Sequence, residues 1–462
     1  DVVVVGGGPA GMCAAIAAAR QGVSVILVEQ GGFCGGMATR GLVGPFMTCY
    51  DAKGETMIIR GLFEEVVDRM VARGFAIHPA EVHGGTAFTS WIKVGHEHVT
   101  PYEPEGLKLV VDEMLTEAGV KILYHTDFLR PILEGEVIIG ILVSSKRGLE
   151  RIDGKVIIDC TGDGDLAYLA GCSYDKGRGT NEELMPPTVM YTLEGVNIDK
   201  LLDHVAAHPE EMAASCASID TKEGYNAAYF RADPNFVFVG MTALFTRLKA
   251  EGKCPVERGN MIVINGLHPG QVYVNTTRLL HTDATDILDL TRAEIEGHLQ
   301  VDRLTEMFRA HVPGFEHCYI SPIAPNLGVR ETRRFHGIRT LTVEEALSAS
   351  IPADTICLSG YKIDIHKDTE TATLFQTVDK PFGIPYGCLV SAEAENLMLA
   401  GRCISVDESV IGSTRVMPCC MATGQAAAVG AVLAHTRGQI PAQVSTDDIR
   451  AELLRGGAML KQ

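Results

Sequence analysis

The first thirty residues limit the fold more tightly than any other stretch. Asp1 to Val5 is a short β-branched run, Gly6-Gly7-Gly8-Pro9-Ala10-Gly11 follows at once, an alanine-rich stretch continues to Arg20, and Val23 to Val28 closes on Glu29. The order reads strand, tight turn, helix, strand. Gly6 permits the turn, Gly8 lets backbone approach a pyrophosphate, and Gly11 lets the helix lie close on the sheet. The helix N-terminus, starting at Pro9 and Ala10, offers unpaired N–H groups and the positive end of a dipole to that anion. Glu29, followed by Gln30, stands where an acidic side chain accepts hydrogen bonds from both hydroxyls of an adenosine ribose and disfavours a 2′-phosphate. A Gly-x-Gly-x-x-Gly turn alone is a weak signal. Framed by two strands, a helix and an acid it predicts a Rossmann-like dinucleotide site, with NAD and FAD both open.

A chain of 462 residues exceeds what one hydrophobic core usually organises, so two lobes are expected, with room for a large cofactor between them. The net charge of -18, from 58 acidic and 40 basic residues, opposes the counterion release that drives nucleic-acid binding and the attraction to anionic membranes. No nucleic-acid or membrane partner is therefore expected. The 13 cysteines include no C-x-x-C pair, which argues against an iron–sulfur cluster, a zinc ribbon or a disulfide framework and fits reduced thiols in a cytoplasmic protein. No apolar stretch reads as long and bare enough to span a bilayer. The opening in a strand-like run, instead of a signal peptide, suggests that a few leading residues are missing.

Further glycine-rich segments recur along the chain. Gly31-Gly32-Phe33-Cys34-Gly35-Gly36-Met37-Ala38-Thr39 follows Glu29 and suits a second contact to an extended dinucleotide. After a hairpin-like stretch from Val137 to Lys155, Val156 to Cys160 reads as a buried strand entering Thr161-Gly162-Asp163-Gly164-Asp165. Asn396 to Ala400 is another strand, entering Gly401-Arg402-Cys403-Ile404-Ser405, and Gly412-Ser413-Thr414-Arg415-Val416-Met417-Pro418 leads into a helix from Cys419 to Leu433.

With these segments the chain resembles, over nearly its whole length, the FAD-dependent oxidoreductase family related to the glutathione-reductase and fumarate-reductase flavoproteins. Pro104 to Lys108, Val274-Asn275-Thr276-Thr277-Arg278 and Gly328 to Arg334 add to the likeness. The resemblance implies an α/β fold: a glutathione-reductase-type FAD-binding domain from residues 1-172, with an insertion at about 40-103, completed by 386-462. An α+β substrate domain would occupy 173-385. It also implies FAD as the cofactor. Gly6, Gly8, Gly11 and Glu29 would serve the ADP half, with Gly35, Gly36, Met37 and Thr39 nearer the pyrophosphate and ring. Thr161, Gly162 and Asp163 would approach the dinucleotide, backbone near Phe128 the adenine, and Gly401 and Arg402 the pyrophosphate and ribityl chain. Ser413 belongs to the same C-terminal block. Arg415, Val416 and Met417 precede a helix start whose N–H groups would stabilise negative charge at N1 and O2 of a reduced flavin. Fumarate-reductase relatives often tether the flavin through a histidine near the glycine loop. No histidine precedes His78 here, so non-covalent binding is expected; Cys34 is expected as a packed thiol, with a thioether to the ring or a redox role as the alternatives.

On the substrate side, helix is expected from Thr291 to His311. Arg330, Arg333 and Arg334 crowd around Glu331, and arginine binds carboxylates bidentately and steadies charge developing on oxygen. Arg330 and Arg333 are thus candidate catalytic residues. His366, on a strand-like Asp364-Ile365-His366, is the first choice for general acid or base because its ordinary pKa lies near neutrality. His96 and His98 have spacing for a shared metal but no third ligand nearby, so no metal site is expected.

These features predict hydride transfer between a small organic substrate and flavin N5. A second nucleotide fingerprint is absent, which points to a separate electron donor or acceptor in place of a built-in nicotinamide site; self-association is compatible with this reading. The alternatives are a flavoprotein electron-transfer subunit of a larger complex, against which the missing cysteine arrays speak, and a flavin-bearing RNA-modifying enzyme, against which the acidic charge speaks.

Overall fold

The computed structural model describes residues 1–82, 97–179, 183–213, 224–232, 237–367 and 373–461. Val2–Val5 is the central strand of a five-stranded parallel sheet whose order is Leu397–Leu399, Val156–Asp159, Val2–Val5, Val25–Val28 and Lys121–Leu123. Val2–Val5 pairs on both edges, with Val25–Val28 and with Val156–Asp159, and all four residues are buried, so both faces are covered as well, which is why four successive valines suit it. A three-stranded antiparallel meander, Asp127–Glu134, Val137–Ser145 and Gly148–Asp153, carries the chain between the Lys121–Leu123 and Val156–Asp159 strands.

Two helices bury almost their whole circumference against this sheet and each other, Pro9–Ala19 and Met417–Arg437. Their approach depends on small residues. A Cβ on Gly11 would lie 1.8 Å from Gly6 O, and one on Gly424 would lie 2.0 Å from Ala10 O. The sequence-based limits of the second helix, Cys419 to Leu433, fall inside the observed ones. That helix also corrects the expectation that no segment has membrane-spanning length and apolarity: its 21 residues meet both criteria, yet 94% of the apolar window is buried in protein. An all-round apolar helix serves a protein core as well as a bilayer.

Residues 40–103 contribute the helix Leu62–Ala72, which buries Leu62, Phe63, Val66, Val67 and Met70 in the main core. Gln425 of the C-terminal core helix accepts from Leu62 N–H at 3.0 Å, fastening the two elements. Phe335, Leu341, Ile356, Leu358 and Phe382 belong to the same core.

A second core surrounds a five-stranded antiparallel sheet in the order Val237–Gly240, Met261–Asn265, Val272–Val274, Tyr191–Glu194 and Tyr319–Ile323. Phe230, Phe238, Phe245, Phe308 and Phe315 fill it, and the long helix Ile287–His311 backs it. That helix starts four residues before the expected Thr291 because Asp286 caps it, accepting from Leu288 and Asp289 N–H. Where the lobes meet, Arg40 donates to Asn326 at 2.8 Å and Arg402 donates to Val329 O.

Candidate functional site

The first turn of Pro9–Ala19 is where separated glycine segments converge. Gly8 is its N-cap, no side chain caps the helix, and a Cβ on Gly8 would meet nothing within 4 Å. Gly36, at φ +49°, packs so closely that its Cβ would lie 2.8 Å from Gly8 Cα; Gly401, at φ +84°, would bring a Cβ to 3.1 Å from that of Ala10. The Gly35 N–H donates to Gly7 O at 2.8 Å. The loop is braced from within: the Thr39 hydroxyl donates to Cys34 O at 2.8 Å, so it is occupied inside the turn. Met37 is half-buried beside it. Uncapped helical N–H groups below open space over a glycine fit a pyrophosphate.

Glu29, at the end of its strand, is 6% exposed and accepts from Gly7 N–H at 2.7 Å, Gly31 N–H at 2.6 Å and Arg40 at 3.0 Å. A carboxylate offers about four acceptor positions, so this set still admits a ribose hydroxyl. Gln30 is exposed. Phe128 lies in the meander opposite Val143 and packs half-buried on the main core.

At the neighbouring strand ends, Arg402 donates to Gly162 O at 3.1 Å and pairs with Asp163, which also accepts from the Thr332 hydroxyl at 2.7 Å. Thr161 is used locally, its hydroxyl donating to Asp159 at 2.8 Å. Cys34 lies beneath Gly7, fully buried, with the Tyr124 hydroxyl 3.6 Å from its sulfur; burial pushes the thiol up to about 12, which suits packing and not nucleophilic attack.

A second constellation is made of side chains from distant segments. Asp364 and His366 stand on the strand Ile363–His366, with His366 Nε2 3.3 Å from Asp364 Oδ1. Arg415 approaches Asp364 Oδ2 at 3.3 Å, and the Tyr361 hydroxyl donates to the same oxygen at 3.3 Å. Ser413 holds this region together by donating to Tyr361 O at 2.5 Å. Val416 caps the adjoining helix with its backbone alone and Met417 begins it, so that start also has no side-chain cap.

Arg330 donates to Thr188 Oγ1 at 2.9 Å and to Pro186 O, while Arg278 donates to Lys367 O. Arg258 is 6% exposed, its Nε buried without a hydrogen-bond partner. Burial and the neighbouring Arg278 and Arg330 hold Arg258 well below the usual arginine range; burial and Arg415 bring Arg330 down to about 9. Burial would raise Asp364, but His366, Arg415 and Lys362 hold it well below the usual carboxylate range. Burial lowers the His366 imidazole to about 3 despite Asp364, and Arg330 and Arg415 push the same way. Burial thus disfavours the charged form of the ring, while Arg415 and Lys362 favour the ionised form of the carboxylate beside it.

The two other expected arginines point elsewhere. Arg333 pairs with Asp165 at 3.1 Å, donates to Asp163 O at 3.2 Å and stacks over Tyr168; Arg334 donates to Gly177 O at 3.0 Å. Glu331 is paired with Arg178 at 2.6 Å. His98 Nδ1 donates to Pro79 O at 2.7 Å and its ring stacks on Tyr50, and His96 lies outside the described residues. Arg258 and Arg278 had no assigned role in the sequence. The only signal was Arg278 ending the family-like Val274 to Arg278 segment, and Arg258 sits in a polar stretch with no periodic or motif context.

A family model described as FAD dependent oxidoreductase matches residues 1–453. No curated protein matches the sequence. Among solved structures, a geranylgeranyl bacteriochlorophyll reductase-like protein from Thermoplasma acidophilum is similar over 99% of this chain and 82% of its own, at 14% identity and TM-score 0.47. The p-nitrophenol 4-monooxygenase of Pseudomonas putida is similar over 98% of this chain and 84% of its own, at 13% identity and TM-score 0.45. A flavin-dependent brominase is similar over 99% and 83%, at 12% identity and TM-score 0.46.

Proposed function

The chain belongs to the FAD-dependent oxidoreductase family, and from that premise we propose that it oxidises or reduces a small organic molecule by hydride transfer between a substrate carbon and flavin N5. The flavin, when bound, supplies the hydride acceptor or donor. The observation that carries this reading is that a backbone cradle at Gly8, Gly36 and Gly401 and a side-chain cluster at Asp364, His366 and Arg415 meet through Cys420, whose Sγ donates to Arg415 O at 3.3 Å and would lie 3.9 Å from a Cβ on Gly401.

The backbone around Gly8 and Gly401 holds the diphosphate, and Glu29 holds the ribose. Arg415 and the uncapped start of Met417–Arg437 set the electrostatics where charge accumulates on a reduced ring. Arg330 steadies the substrate oxygen, and His366, beside Asp364, takes the substrate proton when its ring is neutral and returns it in the reverse direction when its ring is protonated. Electrons then pass to or from a separate donor or acceptor.

Purified protein is expected to be yellow, with a flavin spectrum and flavin released by acid; a colourless protein that cannot be reconstituted with FAD overturns the reading. After anaerobic photoreduction, a panel of carboxylates, enones, sugars and alcohols identifies the compound that re-oxidises the flavin. Arg330→Lys and His366→Gln are expected to slow that step by about 10²-fold or more while FAD stays bound. Unchanged rates remove both residues from the reaction.

A further inference from the structure

We propose that the exposed face of the helix Ile287–His311 is an interface between two copies of this chain, with the two helices packed antiparallel about a two-fold axis at the level of Gly297. Such an assembly is independent of the flavin chemistry proposed above.

That helix needs only one apolar face to fold. Ala293, Gly297, Val301, Leu304 and Phe308 recur every three to four residues and are buried against the second lobe. The side turned away from that core should be polar, yet Leu288, Ile295 and Leu299, at 77%, 59% and 48% exposure, follow one another at intervals of seven and four and so stand in one line. Single exposed apolar side chains are ordinary; a line of them marks a surface that meets another. A pair of helices alone falls short of the about 1,200–2,000 Å² that a stable interface buries, but here the apolar area extends beyond the helix. Lys176 pairs with Asp283 and donates to Thr285 at 2.8 Å, beside the helix start, and Tyr174 shares a strand face with Lys176. Tyr174, Tyr168 and Leu169 are 37%, 45% and 47% exposed.

A second copy is the occupant because the charges on this face complement one another when it is turned end for end. Leu288, Arg292, Ile295, Leu299, Asp302 and Glu306 follow at alternating intervals of four and three, so all six share one exposed stripe. The spacing is the same read in either direction, so two copies of the stripe match when they run antiparallel. Ile295 then meets Leu299 of the second copy, Arg292 meets its Asp302, and Leu288 lies against the stem of its Glu306, each contact occurring twice. Asp302 and Glu306 have no hydrogen-bond or ion-pair partner among the described residues. Arg292 approaches Asp289 at 3.1 Å and Glu296 at 3.5 Å and donates to His281 O at 2.7 Å, and its five N–H groups leave a donor for a further carboxylate. A parallel pair would instead set Arg292 beside Arg292 and Asp302 beside Asp302, with the two helix dipoles aligned.

FAD-loaded full-length protein is expected to sediment at twice the chain mass across the micromolar range. Ile295→Glu and Leu299→Lys, both at exposed positions, should each raise the dimer dissociation constant about 30-fold or more while flavin content stays at the parental value. Asp302→Arg sets like charges together and should weaken the dimer about tenfold; adding Arg292→Asp exchanges the two charges and should return most of that loss. Should the exchange variant lose flavin, salt reads the same ion pair: rising ionic strength weakens the parent dimer more than that of Asp302→Asn. A parent that stays monomeric overturns the proposal, as does a dimer that neither Ile295→Glu nor Leu299→Lys weakens. A dimer that both weaken, but that the charge exchange does not recover and whose salt dependence survives Asp302→Asn, overturns the antiparallel pairing. A monomeric parent that captures a different protein, and loses it in Ile295→Glu, gives the face to that protein and likewise overturns the proposal.

Discussion

The cradle at Gly8 and the cluster at Asp364 are built from opposite materials. The cradle is backbone: its shape depends on positions where a Cβ collides, as at Gly11, Gly36 and Gly424, or where the chain turns through positive φ, as at Gly6 and Gly401. The cluster is side chains on ordinary backbone, brought together from residues 361, 364–366 and 415, with Arg330 acting on them electrostatically. A backbone site must write its geometry into local sequence, because few residues besides glycine take those conformations. A side-chain site needs only that the right group arrive, so it leaves little local trace. The first should therefore fail through sterics, the second through charge.

The largest effect is expected at Gly11. Gly11→Val places its Cβ 1.8 Å from Gly6 O, where only backbone could yield, and more than about 5 kcal/mol of destabilisation is expected, read as loss of soluble, folded protein. Gly8→Ala is the counterpart that separates fold from ligand. Its Cβ meets nothing within 4 Å and its φ is -68°, so the FAD-free protein should unfold within about 1 kcal/mol of the parent while FAD affinity falls steeply. Equal damage to both properties would break the distinction.

Next comes Asp364→Asn. It removes the carboxylate that faces Arg415, Arg330 and Arg258, leaving buried cations uncompensated, and about 3–5 kcal/mol of lost stability is expected in denaturant titration. Indifference to the substitution would mean that the cluster is solvated and not a charged core.

These contrasts explain what could be read from sequence. The turn from Gly6 to Gly11, the strand from Val156 and the entry to Met417–Arg437 announced themselves because sheet burial, tight turns and helix starts each restrict residue type locally. Arg330 and His366 could be chosen as chemical types, yet nothing local separates Arg330, which reaches Thr188, from Arg333, which turns toward Asp165 and Tyr168 three residues later. Arg258 stayed hidden for the same reason. The Arg278 and Arg330 that act on it electrostatically are remote in sequence, and the pairing of Met261–Asn265 with Val272–Val274 relates the Arg258 and Arg278 segments only in the fold. The membrane-length apolarity of Met417–Arg437 misleads in the other direction, since composition records burial but not what does the burying.

A pH effect of intermediate size should arise at His366. The groups facing its ring are Asp364, Arg330 and Arg415, with Tyr361 and Lys362 beside Asp364. Its folded-state value near 3 lies below an unfolded value of about 6.5, so between those limits the unfolded chain binds the extra proton and stability rises with pH. The His366 contribution to unfolding free energy should thus fall by at most about 1.4 kcal/mol per unit on acidification from pH 6.5 and flatten near pH 3. Asp364, held low when folded, loses stability in the same direction, but only below its unfolded value of about 4. Denaturant curves of His366→Gln should therefore lack the slope between pH 6.5 and 4 while keeping the fall below it; an unchanged slope in that upper window assigns it to another group.

The smallest effect is expected at Cys34, the thiol of the glycine loop that follows Glu29. The thiol lies beneath Gly7, fully buried, and burial keeps it protonated up to about 12, so it is poorly suited to form a thioether or to exchange with a disulfide. Cys34→Ala removes a small apolar group and the contact with the Tyr124 hydroxyl, for an expected cost of about 1 kcal/mol. Acid should release the same fraction of flavin from variant and parent, and the rate of flavin re-oxidation by substrate should be unchanged. Flavin that stays with the acid precipitate of the parent and leaves that of Cys34→Ala would show instead that the thiol holds the ring, and that even the cradle depends on a side chain.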